Sequence, residues 1–110
     1  MEESEYDRYY AAIGAPNSLS IEQRERLMES VVKHEHMNKE DHRAFYEHCS
    51  KRNRQAISIL KGEPRSQDYP ERWASSLERI RADPKKREEY GRMYKELLRF
   101  TDEKEAEFRE

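Results

Sequence analysis

Of the 110 residues, 42% are charged and 34% hydrophobic, where about 25% charged is usual for a globular protein, so one domain over residues 1–110 is expected to close around a thin core. Three Gly and four Pro are too few to punctuate a many-stranded sheet. No stretch approaches the roughly 20 consecutive apolar residues of a membrane span, so no membrane partner is expected.

The fold class predicted is all-α, a small bundle of about five helices in antiparallel hairpins. The first covers roughly 4–13, where Tyr6, Tyr9, Tyr10 and Ile13 fall on one face at helical spacing. Gly14 to Ser18 ends it, with Gly14 as a left-handed terminator and Pro16 unable to continue a helix. Residues 1–17 can then act as a mobile N-terminal arm. The second helix covers about 21–37, opened by a Ser20/Gln23 capping box and carrying Ile21, Leu27, Met28, Val31 and Val32 along one stripe.

Asn38 has the form of a cap for the amides of Glu40 and Asp41. A bend or short turn is expected there, with one continuous helix through 21–60 as the alternative. The third helix, 39–61, places Phe45, Cys49, Arg52, Ala56 and Ile59 at alternating steps of four and three, the spacing of a helix packed lengthwise on another. Gly62-Glu63-Pro64-Arg65-Ser66 is the strongest loop signal and marks a helical hairpin turn. The fourth helix, 69–82, has Pro70 in its first turn and Trp73, Leu77 and Ile80 as its apolar stripe. Asp83-Pro84 starts the fifth, 84–108, whose Gly91 costs roughly 1 kcal/mol against Ala and so points to close packing. Residues 102–110 read as a frayed tail.

The acidic start Met1-Glu2-Glu3-Ser4-Glu5 has neither the basic nor the apolar part of a secretory signal, and the lone Cys49 fits a reducing compartment. A cytoplasmic location is expected. The net charge of −2 conceals blocks: residues 1–48 carry −5, residues 49–100 carry +6 and residues 101–110 carry −3. Opposed blocks either neutralise each other within the fold or steer partners of opposite sign.

All four histidines and the cysteine lie within residues 34–49. A zinc site would need three or four of them converging at about 2.0–2.3 Å, usually from helical pairs three or four apart. His34 and His36 are two apart, His42 and His48 six apart, so no metal and no cofactor is expected. Protonation of these rings is the other reading, by which mild acid would loosen the second and third helices. Cys49 lacks a nucleophile elbow or Gly-rich oxyanion turn, and its place in the seam is that of a small buried thiol. No Glu-x-x-His pair or phosphate-binding Gly loop is present, so no enzymatic activity is expected.

The expected function is a non-enzymatic small protein that binds and regulates or inhibits a protein partner. Tyr6, Tyr9, Tyr10 and Trp73 are the partner-binding candidates, because large aromatics with few rotors anchor interfaces. A homodimer is a further option, since a second seam would stabilise a thin bundle. The alternative is a nucleic-acid-binding regulator, transcriptional or architectural, that contacts DNA through Arg79, Arg81, Lys85, Lys86, Arg87 and Arg92.

Overall fold

A computed structural model describes residues 4–64 and 68–109. Met1 to Glu3, the 65–67 part of the turn expected after Gly62, and Glu110 lie outside the described residues. Among the described residues the chain forms five helices and no strand: α1 (Glu5–Ile13), α2 (Ile21–His34), α3 (Lys39–Leu60), α4 (Glu71–Arg81) and α5 (Pro84–Arg109). The all-α bundle is therefore present.

The helix starts follow from their caps. The Ser4 hydroxyl accepts from the Asp7 amide at 3.1 Å. Ser20 and Gln23 form the reciprocal capping box, at 3.1 and 2.8 Å. Asn38 Oδ1 accepts from the Asp41 amide at 2.9 Å, and Asp83 Oδ1 receives the amides of Lys85 and Lys86 at 3.1 and 3.4 Å, with Pro84 as the first helical residue. Pro70 precedes α4 rather than lying in its first turn; its extended backbone (ψ 120°) offers no side-chain cap.

The 21–60 stretch is two helices. α2 stops at His34, three residues before the expected end, because His36 takes a left-handed backbone (φ 50°) and the Met37 amide reaches back to the Val32 carbonyl at 3.1 Å. Gly62 (φ 84°) closes α3 in the same way, with the Glu63 amide on the Ser58 carbonyl at 3.0 Å.

α5 is the spine: 26 residues span about 39 Å, matching the 40 Å long axis of the molecule. It runs antiparallel to α3, since Tyr46 stacks on Phe108 near one end, Ser50 and Asn53 meet Thr101 mid-way, and Ile57 and Leu60 lie by Gly91 at the other. The seam expected on α3 is the buried line: Phe45, Cys49, Arg52, Ala56 and Ile59 are each at most 4% exposed. Tyr94 and Leu97 face it from α5, Trp73, Ala74 and Leu77 from α4, and Met28 and Val32 from α2.

Two glycines depart from their expected roles. Gly14 is right-handed (φ −103°, ψ −2°), so left-handed freedom is not what it supplies. A Cβ there would run into the Tyr10 ring, which is fixed by its own hydroxyl on Asn53 Oδ1 at 2.7 Å. Gly91 is the reverse, because nothing lies within 4 Å of an added Cβ; no close packing explains it. Gly14→Ala is accordingly expected to lower stability by about 1–3 kcal/mol through overpacking, whereas Gly91→Ala should raise it by up to about 1 kcal/mol through helix propensity. Urea unfolding of the two variants checks both signs, and equal effects would contradict this assignment of roles.

Candidate functional site

The four aromatic candidates are largely taken up by the interior. Tyr10 packs edge-on to Trp73 (centroids 5.6 Å, 89°), and Tyr69 stacks on the same indole at 5.5 Å. Tyr6 and Tyr9 both lean on Phe45, at 5.8 and 6.2 Å. Tyr10 is 3% exposed and Trp73 8%, so neither reaches a partner while α1 is docked. Tyr6 and Tyr9 stay half-buried at the surface.

α1 is also held by charge. Asp7 receives a bidentate pair from Arg52 (Nε to Oδ1 and Nη2 to Oδ2, both 2.9 Å), and His48 Nε2 lies 2.7 Å from Oδ1. Arg52 turns its remaining nitrogen to Gln55 Oε1 and the Asp68 carbonyl, at 2.8 and 2.9 Å. Burial pushes the Asp7 carboxyl up, but the hydrogen bonds and charges of Arg52 and His48 outweigh it and hold the group below its ordinary value.

The other histidines stand apart. His34 and His36 are exposed, and His42 rests on Phe108 (centroids 4.6 Å) with Nδ1 buried and unpartnered among the described residues. No group of three or more His, Cys, Asp or Glu among the described residues could hold a metal ion. Burial, with a smaller push from Asp7, drives the Cys49 thiol well above its ordinary value, so it stays protonated.

The six basic candidates do not form one surface. Arg79 lies on the exposed side of α4, where it contacts the Ser76 hydroxyl at 3.3 Å, and Arg81 turns back to the Ile59 carbonyl at 3.2 Å. Lys85, Lys86 and Arg87 are exposed around the first turn of α5. Arg87 and Arg92 join residues that the run of basic letters missed. With Lys61, at the end of α3, Lys95 and one carboxylate, Glu88, they rim a groove of about 360 Å³ whose apolar floor is Ile57 and Leu60 and which Gly91 also lines. Arg99 continues the line beyond the groove beside Arg92 and Lys95, with the carboxylate of Glu96 among them. The legible signal was the spacing Arg92, Lys95, Arg99, one side of a helix at steps of three and four. Among the described residues none of Lys61, Arg87, Arg92, Lys95 or Arg99 forms an ion pair.

On the α2 side of α5 carboxylates gather around Glu25. Burial followed by the charges of Glu29, Glu22 and Glu96 raises the Glu25 carboxyl, partly offset by Arg99. A second groove, of about 620 Å³, lies between Leu19, Ile21, Tyr90 and Met93, with Arg92, Glu89 and Glu96 at its edge.

Compared with protein-family models, curated proteins and solved structures, the chain matches none.

Asp7→Ala is expected to cost about 3–5 kcal/mol at neutral pH, because Arg52 is left buried without its carboxylate. Since Asp7 titrates below its ordinary value when folded, its contribution is present above the unfolded pKa of about 3.9 and is lost as pH falls through the folded value. Urea unfolding across the acid range should therefore show a steeper loss for the parent chain than for Asp7→Ala. Parallel curves would remove Asp7 as the anchor of α1.

Proposed function

We propose that the protein is a non-enzymatic binding module that seats an acidic segment of a protein partner on the α3–α5 flank and regulates that partner by occupying it. The observation that carries this reading is the groove itself: an apolar floor of Ile57 and Leu60 beside Lys61, Arg87, Arg92 and Lys95, cations without ion-pair partners among the described residues. An apolar centre with a charged rim is the arrangement of protein interfaces, in which the rim steers and orients while the centre supplies most of the affinity. The reading moves the partner surface from the aromatics of α1 and α4 to the cations of α3 and α5. A reducing, cytoplasmic setting fits the unpaired Cys49.

The nucleic-acid reading keeps one specific support, the exposed Lys85, Lys86 and Arg87 at the start of α5. Against it, Glu88 and Glu89 follow directly, Glu88 lines the groove, and Arg81 is turned toward a carbonyl of its own chain.

Polyglutamate is the probe for the acidic class. It is expected to bind the parent chain at low salt, with an affinity about tenfold lower for the double variant Arg92→Glu/Lys95→Glu, as the loss of two exposed pairs of up to about 1 kcal/mol each implies. A short DNA duplex is measured beside it. Tighter, steeply salt-dependent duplex binding would transfer the site to nucleic acid, and binding of neither would sink the proposal.

A further inference from the structure

We propose that the acidic segment seated on the α3–α5 flank is helix α2 of a second copy of this chain, joined head to tail. The inference rests on the binding reading above and names its partner. Arg92, Lys95 and Arg99 step by three and four along α5, and Glu22, Glu25 and Glu29 step by three and four along α2. Both triads span about 10.5 Å at the common helical rise of 1.5 Å per residue. Laid parallel, the two helices bring each cation opposite a carboxylate at once.

Among the described residues neither triad is closely paired within its own chain. The three cations form no ion pair among the described residues, and the only pairs of the acidic triad are long ones, Glu22 with Arg26 at 3.8 Å and Glu29 with Lys104 at 3.9 Å. Glu25 is crowded by Glu22, Glu29 and Glu96, with Arg99 only partly offsetting them. An arriving cationic stripe relieves that crowding, just as an arriving acidic stripe neutralises the α5 flank.

The two stripes are made of different residues and adjoin where Arg99 offsets Glu25, so the contact is heterologous: each copy that docks its α2 still offers its own α5 stripe. Growth into an open chain or a closed ring follows, rather than a two-fold dimer. Exposed ion pairs are individually weak, and salt at 0.1 M screens charges over about 10 Å, so the association is weak and salt-labile.

Sedimentation velocity of the full chain over a concentration series at low and high salt tests this. The average mass is expected to rise with concentration at low salt and to fall to the monomer at high salt. The triple variants Arg92→Glu/Lys95→Glu/Arg99→Glu and Glu22→Lys/Glu25→Lys/Glu29→Lys should each be monomeric alone and should associate when mixed, because their reversed stripes complement one another. If circular dichroism shows that either triple variant loses helix, the single reversals Lys95→Glu and Glu25→Lys serve in its place, with association reduced alone and regained on mixing. A parent chain that stays monomeric at low salt, or variants that fail to associate on mixing, would overturn the self-docking. If that monomer still binds polyglutamate, the binding reading stands without a self-partner, and if it does not, both fall.

Discussion

Arg24 has no accessible surface and no ion pair among the described residues, yet all five of its N–H donors are used. Nε reaches the Leu19 carbonyl, Nη1 the carbonyls of Ile13 and Ala15, and Nη2 the carbonyl and side-chain oxygen of Asn17, at 2.6–3.3 Å. Burial lowers its pKa, with the neighbouring Tyr94, Tyr10 and Tyr90 acting in the opposite direction. A buried charge is tolerated only with its full set of hydrogen bonds, and here main-chain oxygens supply nearly all of them. The 13–19 connection is thereby wound around one guanidinium. That winding fixes the exit of α1 and delivers the Gly14 carbonyl to the Tyr94 hydroxyl at 2.8 Å.

The same constraint recurs through the interior. A core with few apolar side chains closes with polar ones that satisfy each other: Tyr10 on Asn53, Ser50 on Thr101, Thr101 on the Leu98 carbonyl, Asp7 on Arg52. Such networks are costly if any member is missing, which ties α1, α3 and α5 into one unit. The consequence for function is direct. Once most of the aromatics are committed to this interior, charge is what remains on the surface, and Leu27 is the one large hydrophobic exposed among the described residues.

Local chemistry was the legible part of the fold. Ser20/Gln23, Asn38, Gly62 and Asp83-Pro84 act through neighbours within a few residues, and the Phe45 to Ile59 seam follows from helical period alone. What failed to show depends on distant groups. Leu27 fits the α2 stripe by letter but is 38% exposed, while Arg24, which no hydrophobic pattern would select, fills the buried place. Gly14 needs the Tyr10 ring to explain it, and no neighbour explains Gly91. The site was half legible for the same reason: Arg87 and Arg92 stood in a visible basic run, but Lys61 joins them only because α3 and α5 are antiparallel.

That pairing also explains why a frame and a surface can share one helix. α5 gives Tyr94, Leu97 and Thr101 to the interior, Arg92, Lys95 and Arg99, with Glu96 beside them, to its exposed side, and Tyr90 and Met93 to the second groove. A helix interior tolerates exposed charge at little cost while its buried stripe is intact, so the flanks can be charged without reference to packing. Gly91 lowers helix propensity on the exposed side without serving a contact. It lines the groove with Ile57 and Leu60, and since nothing lies within 4 Å of an added Cβ, a side chain there would enter open space and leave the buried stripe of Tyr94, Leu97 and Thr101 untouched.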